Sequence, residues 1–211
     1  TDSASANSLR EALNEASRHS GYWLLCGGFF VCGFHVAFIA THLPPFLSDH
    51  NLPPMLAATA IAMIGFFNIL GTIASGWLGG KFRQKHVLSY YYLARAIVIA
   101  GFLVFPVTQT SVLIFAGAIG FLWLGTVPLT SGLVAQVFGP RYLGALFGIV
   151  FFSHQIGGFL GAWLGGYMFD LTGSYDLVWF VAVGLGVLAA ILHWPIADSP
   201  ILRQTRSVED A

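Results

Sequence analysis

The chain has 211 residues, of which 56% are hydrophobic and 9% are charged, and its basic and acidic residues balance to a net charge of zero. A soluble domain carries about 25% charged residues, so this composition excludes an ordinary soluble globular domain. The few cations form no basic patch, which excludes nucleic acid as a predicted partner.

The first 20 residues are polar and mixed in charge, and they are predicted to form a cytoplasmic linker, not a secretory signal. Within them, Ser8 and Glu11 have the spacing of a capping box and predict a short helix over residues 9–16. Residues 197–211 are the corresponding cytoplasmic tail. The linker and the tail enclose one apolar domain, residues 21–196.

Six apolar segments make up this domain, and each is long enough for the ~20 residues that cross a bilayer as a helix. Backbone polar groups in lipid must be hydrogen-bonded within the protein, so segments of this length predict helices. The sequence therefore predicts an all-α polytopic membrane protein with a bundle of six transmembrane helices. The segments are residues 21–43, 57–78, 87–105, 112–134, 144–168 and 177–196.

Basic residues occur in alternate connections between the segments. Eight of the nine lie before segment one, between two and three, between four and five, or after six, and the other connections have none. The positive-inside rule then places both termini of this multi-pass membrane protein in the cytoplasm. The eight residues are Arg10, Arg18, Lys81, Arg83, Lys85, Arg141, Arg203 and Arg206.

An internal repeat relates segments two and five. Residues 71–80 and 157–166 lie 86 positions apart and are identical at five of ten positions. Two units of three helices, about residues 21–105 and 112–196, must then have opposite orientations, which is a 3+3 inverted repeat. Small residues at every fourth position of both segments are explained either by static close packing or by a sliding gate surface.

A layer of polar residues is predicted near the middle of the membrane, at depths of about 13–21 Å from the cytoplasmic ends. Transporter sites lie at this level, where helices are interrupted, and Pro128 is a candidate for the interruption. Each histidine is either a functional group or a satisfied packing residue, and a threonine in a helix often bonds the preceding turn. The candidates for substrate binding or gating are His35, Asn68, Arg95, Thr126, His154 and Gln155.

Arg95 differs from the other candidates because it is a cation inside the third segment, and no Asp or Glu lies in any segment interior. A charge in hydrocarbon costs several kcal/mol or more. Its counter-charge is either an anionic substrate, a carboxylate from elsewhere, or only dipoles and water. The alternative to a role in anion binding or gating is that the side chain extends to the interface.

Other residues have simpler interpretations. Tyr22, Trp23, Trp179 and Trp194 lie near segment ends and are predicted to be interface anchors. Cys26 and Cys32 are interpreted as apolar filler, with no metal site or cofactor predicted. Paired carboxylates, nucleophile motifs and cofactor loops are missing from the sequence, so no catalytic residue is proposed and the protein is predicted not to be an enzyme.

Several stretches resemble major facilitator transporters, in particular the bacterial oxalate/formate antiporter and monocarboxylate transporter branch. They are residues 35–45, 125–135, 138–142 and 148–155. The resemblance covers nearly the whole chain after residue 20 and matches the carboxy-terminal six helices of a twelve-helix protein. Residues 76–85 resemble the superfamily's cytoplasmic gating motif, here with Lys81, Arg83 and Lys85, although Gly80 stands where the motif has an acid.

The resemblance implies a secondary active transporter that moves a small organic anion by alternating access, with a histidine as the candidate carrier of a coupling proton. Its partners are then membrane lipid, the anion, protons and an amino-terminal six-helix half, in the same or a separate chain. Well-known carboxylate carriers of this branch have an arginine in the helix that here contains Asn68 and Thr72, so Arg95 is the candidate replacement. The alternative function is a non-transporting six-helix sensor or assembly subunit.

Overall fold

The computed structural model describes residues 8–201, and this part of the chain forms eight α-helices and no strand. Predictions for residues 1–7 and 202–211, including the basic residues Arg203 and Arg206, lie outside the described residues. The helices are α1 Leu9–Arg18, α2 Ser20–Asp49, α3 Pro54–Lys81, α4 Gln84–Val104, α5 Gln109–Phe121, α6 Thr126–Phe138, α7 Leu143–Thr172 and α8 Asp176–His193.

Six apolar spans are confirmed within the described residues. Five are single helices, α2, α3, α4, α7 and α8, while the fourth span, Gln109–Phe138, consists of α5 and α6. Four of the six extend beyond the predicted apolar segments at both ends, whereas α4 and α8 end before the predicted limits of residues 105 and 196. The chain is thus an all-α polytopic membrane protein.

The short helix before the first span is two residues longer than predicted, because it continues to Arg18. Ser8 is its N-cap, and the Ser8 hydroxyl accepts a hydrogen bond of 3.2 Å from the Glu11 backbone N–H. This bond satisfies one of the donors that the first turn of a helix leaves unpaired.

The spans pack chiefly in three pairs, α2 with α7, α4 with α8, and α3 with α5. Gly71 on α3 lies against the backbone carbonyl of Phe121, and Gly157 on α7 lies against that of Phe30 on α2. A Cβ atom at either glycine would collide with that carbonyl group. The two glycines match in the internal repeat, so equivalent positions make equivalent close contacts between the two three-helix units.

Trp179 does not anchor the chain at a membrane interface. It is fully buried, and its ring packs edge-on against Phe38 at 4.8 Å and Phe46 at 5.5 Å. Tyr22 is also buried, and its hydroxyl donates to the Leu146 carbonyl at 2.7 Å. Their position near segment ends predicted anchors, but these side chains face neighbouring helices, so two of the four predictions are wrong.

One end of the bundle contains the described basic residues other than Arg95. The connection from α3 to α4 and that from α6 to α7 both lie at this end, as do α1 and the residues after α8. We call it the basic end. It contains Arg10, Arg18, Lys81, Arg83, Lys85 and Arg141.

Candidate functional site

The fourth span is interrupted at residues 122–125, between α5 and α6. Pro128 was the predicted interruption, but it is the third residue of α6. Proline is well tolerated in a first turn, where its missing N–H would have no partner within the helix. Pro128 therefore favours the start of α6, and the interruption precedes it.

Arg95 on α4 binds the carbonyl groups that this interruption leaves free. Its Nη2 donates hydrogen bonds of 2.5 Å to the Leu122 carbonyl and 2.7 Å to the Trp123 carbonyl. The residue is only 1% exposed, so its side chain does not extend to the interface. The end of α5 has the partial negative charge of a helix C-terminus, which suits a cation.

Asn68 on α3 binds the same interruption from another side. Its Oδ1 accepts a hydrogen bond of 3.0 Å from the Leu124 N–H and one of 3.3 Å from the Thr72 hydroxyl. We call Asn68 and Arg95 the clamp. The structure thus brings together two predicted residues, on a backbone segment that the sequence did not identify.

Tyr91 and Tyr92 flank the clamp on α4. The Tyr91 hydroxyl donates to the Gly71 carbonyl at 3.4 Å, on the α3 side of the interruption. The Tyr92 ring centre lies 5.4 Å from Arg95 Cζ, within the range of a cation–π contact. Both tyrosines are buried, so the guanidinium lies among aromatic and backbone groups.

A buried group of polar side chains adjoins the clamp. Cys32 Sγ lies 3.2 Å from Thr126 Oγ1, and Cys32 also lies beside Arg95 and His154. Within the described residues, Arg95 Nε, Arg95 Nη1, the Tyr92 hydroxyl and His154 Nε2 are buried without a hydrogen-bond partner. Four helices, α2, α4, α6 and α7, therefore direct polar atoms toward the same region. The interpretation of Cys32 as apolar filler overlooked its contact with Thr126.

His154 and Gln155 lie on α7 at the edge of this group. His154 Nδ1 is 3.2 Å from Gln155 Oε1, and the His154 ring stacks on Phe151 at 5.2 Å. His154 is buried, whereas Gln155 is exposed on the surface of the six-helix bundle. The pair therefore links the buried group to that surface.

His35 contacts a neighbouring helix and not the interruption. It is fully buried on α2, and its Nε2 lies 2.8 Å from the Ala182 carbonyl on α8. This contact joins neighbouring helices, whereas His35 Nδ1 is buried without a hydrogen-bond partner among the described residues. Within residues 8–201, no group of three or more His, Cys, Asp or Glu side chains is arranged to hold a metal ion.

At the basic end, two of the three predicted gating residues, Arg83 and Lys85, contact the segment that follows α8. Arg83 forms two hydrogen bonds with the Asp198 carboxylate, from Nε at 3.0 Å and from Nη2 at 2.5 Å. Lys85 Nζ donates to the Ile196 carbonyl at 2.7 Å, while Lys81 Nζ lies 4.0 Å from the Trp77 ring centre. The three cations therefore have three different kinds of partner.

The same segment crosses to the end of α6. Gln136 Nε2 donates to the Asp198 carbonyl at 2.8 Å, and the Ile201 N–H donates to the Val137 carbonyl at 3.0 Å. We call residues 194–201 the strap. The hydrogen bonds between Arg83 and Asp198 hold the pKa of the Asp198 carboxyl group below its ordinary value. They also raise the pKa of the Arg83 guanidinium. The sequence had only one signal for this ion pair, which is that Asp198 and the three cations lie on the same predicted side of the membrane.

The sequence model of the Major Facilitator Superfamily matches residues 25–210. An uncharacterized MFS-type transporter of Bacillus subtilis, YcxA, is 31% identical over 189 residues, which cover 86% of this chain and 46% of the relative. Monocarboxylate transporter 13 of Rattus norvegicus is 28% identical, covering 87% of this chain and 47% of the relative. Monocarboxylate transporter 12 of Mus musculus is 26% identical, covering 81% of this chain and 37% of the relative.

This chain therefore spans about half the length of the curated relatives that it matches. The matched region includes all six spans except the first residues of α2. The clamp, the strap and the buried polar group all lie within it.

Proposed function

Because this chain belongs to the Major Facilitator Superfamily, a family of transporters and not of enzymes, we propose that it forms half of a secondary active transporter for a small organic anion. The anion is a monocarboxylate, and it crosses the membrane by alternating access. The observation that carries this proposal is the interrupted fourth span with a buried arginine bound at its interruption. Interrupted helices of this kind form substrate sites in many transporters.

The chemistry of the buried polar group supports an anionic substrate. Arg95 is the single Lys or Arg in the span interiors, where no acid occurs. Its Nη2 is bound to backbone carbonyls, whereas Nε and Nη1 have no partner among the described residues. Guanidinium groups bind carboxylates well because they are planar and present several N–H donors. Relatives named monocarboxylate transporters agree with this choice.

In this proposal the clamp controls the gate. Asn68 and Arg95 fix the interruption in one arrangement, and approach of an anion to the free side of the guanidinium weakens the bonds to Leu122 and Trp123. The two halves of the fourth span then change their relative position. Such a segment of few residues can absorb the backbone change of a conformational transition.

His154, Gln155 and Thr126 line the route to Arg95. Gln155 is exposed, His154 lies beside it, and Thr126 lies deeper on α6. His154 is the proposed carrier of the coupling proton, because a histidine changes charge near neutral pH. His35, which contacts α8, acts by positioning α2 against that helix.

An amino-terminal six-helix half completes the transporter, as upstream sequence or as a separate chain. The relatives are about twice as long as the region that this chain matches. The exposed Gln155 on α7 lies on the surface proposed to face that half. The basic end faces the cytoplasm and both termini lie on that side of the plasma (inner) membrane, as the positive-inside rule requires.

The test is uptake by the intact protein, with both halves, reconstituted in liposomes. We expect labelled lactate, oxalate or formate to accumulate above the level in protein-free liposomes, and an inward proton gradient to increase the rate. A carrier also shows counterflow, in which internal unlabelled anion accelerates entry of the labelled anion. Absence of flux across a broad panel of small organic anions would support the sensor or assembly subunit instead.

A further inference from the structure

A groove opens at the basic end where α3 ends and α4 begins. Its volume is about 620 Å³, and its apolar wall includes Leu78, Phe82 and Val87. Lys81, Arg83 and His86 also line the groove. Tyr91, which flanks the clamp, also lines the groove, but Asn68, Arg95 and the buried polar group do not, so the groove adjoins the site without including it.

The basic side chains of the groove carry excess positive charge. Among residues 8–201, the acid paired with a basic side chain of the groove is Asp198, which binds Arg83 and also lies 3.9 Å from Lys85, outside the groove lining. The bidentate pair uses Nε and Nη2 of Arg83, which leaves Nη1 outside it, and the Arg83 side chain is 59% exposed. Lys81 is exposed and contacts Trp77 through its ammonium group. Together they attract a negatively charged group.

Exposed aromatic rings surround the groove. Trp77 adjoins Lys81, and on the other side the Trp194 ring lies 4.7 Å from the His86 ring and 6.1 Å from the Tyr90 ring. Trp and Tyr concentrate at the level of the lipid headgroups in membrane proteins. The basic side chains thus lie at the depth where lipid phosphates are found.

An apolar path also continues past Tyr90. This residue borders a second groove of about 550 Å³ between α4 and α8, lined by residues that include Leu93, Val187 and Ile191. A free phosphate ion would contact only the basic side chains of the first groove. Two adjoining apolar grooves on either side of Tyr90 match a headgroup with two acyl chains.

We propose that this groove binds an anionic phospholipid of the leaflet at the basic end. The phosphate contacts Lys81 and Arg83, one acyl chain follows the groove between α3 and α4, and the other follows the groove between α4 and α8. Each basic residue near an anionic lipid surface contributes about 1 kcal/mol, so two such contacts give a clear preference over zwitterionic lipid.

Native mass spectrometry of the purified chain tests this site with phosphatidylglycerol and phosphatidylcholine. We expect the chain to retain phosphatidylglycerol preferentially, and Lys81→Gln to lower that preference about fivefold through loss of one such contact. Arg141→Gln is the matched control, because Arg141 is exposed at the same end and lies over Tyr142, outside the groove. This control is expected to keep the wild-type preference.

Two results would overturn the assignment. One is the absence of a specific effect of Lys81→Gln, whether this variant retains phosphatidylglycerol as wild type does or Arg141→Gln shows the same loss. The other is displacement of the bound lipid by inorganic phosphate at fixed ionic strength, which would mean that the anion alone is recognised. Size-exclusion elution of the variants verifies their folding, and the readout does not depend on transport.

Discussion

At the residue scale, Arg95 shows how a membrane protein retains a buried cation without a buried acid. The sequence left three kinds of counter-charge open, and the described contacts are with carbonyl groups at the end of α5. Backbone dipoles can hold a charge in this way, since a helix C-terminus is equivalent to about half a negative charge. Arg95 therefore supplies hydrogen-bond donors to the free carbonyl groups of the interruption, and these carbonyl groups stabilise the charge of Arg95.

Replacement of Arg95 tests the clamp. Arg95→Gln is expected to insert normally but to abolish anion transport, because the carbonyls of Leu122 and Trp123 lose their donor and the anion loses its charge partner. Each carbonyl left unpaired in a buried place costs about 1–3 kcal/mol, so the melting temperature in detergent should also fall. Arg95→Lys should retain part of the activity, because an ammonium group donates to carbonyls without the planar geometry of the guanidinium.

Liposome uptake and thermal unfolding measured on the same preparations separate the two effects. Arg141→Gln, which removes an exposed arginine, is the charge-matched control. Full transport by a well-folded Arg95→Gln protein would assign Arg95 to structure alone.

At the element scale, glycines determine how closely the paired spans approach. Gly71→Ala is expected to destabilise the bundle by about 1–3 kcal/mol, because the new methyl group collides with the backbone of Phe121, which cannot move aside as a flexible side chain could. Gly76→Ala is the control on the same helix, where a Cβ meets nothing within 4 Å. Thermal unfolding in detergent measures both variants, and equal melting temperatures would contradict the close contact.

The sequence predicted the spans well and their interruption poorly. Backbone polar groups cannot remain unpaired in lipid, so an apolar segment long enough to cross the membrane must be helical. Six spans therefore followed from hydropathy. The interruption depends on whether distant groups satisfy the freed N–H and C=O groups. Asn68 and Arg95, on two other helices, do so. Pro128 marked the start of α6, but no local signal identified the partners.

At the scale of the whole molecule, the strap connects the loop after α3, the start of α4 and the end of α6. Its key contact is Arg83 with Asp198, whose side chain is 6% exposed. Position in the sequence predicted that Asp198 lies beyond the last span, but not that it folds back.

Side-chain direction was also beyond prediction. Polar residues at one depth were predicted to face one site, whereas His35 faces α8. Depth follows from counting residues, but the direction of a side chain depends on helix rotation and packing.

Stability at acidic pH tests the strap. The pKa of Asp198 is lowered in the folded state, so its pairing stabilises the fold above the ordinary pKa of 3.8 and that contribution is lost as the pH falls through the lowered value. Asp198→Asn should therefore lower the melting temperature at neutral pH and reduce its dependence on pH below about 4. Thermal unfolding from pH 7 to pH 3 gives both quantities, and parallel curves for wild type and variant would refute the contribution.

The contact between Arg95 and the fourth span also bears on biogenesis. Arg95 is made before Leu122 and Trp123, which follow it by 27 and 28 residues. While it emerges from the ribosome, the third span thus contains a cation whose partners do not yet exist, so we expect the third and fourth spans to leave the translocon as a hairpin. Chains ending after Val104 should integrate the third span less efficiently than chains ending after Phe138, as measured with glycosylation tags. Equal efficiencies would mean that the membrane accepts this arginine before its partners are made.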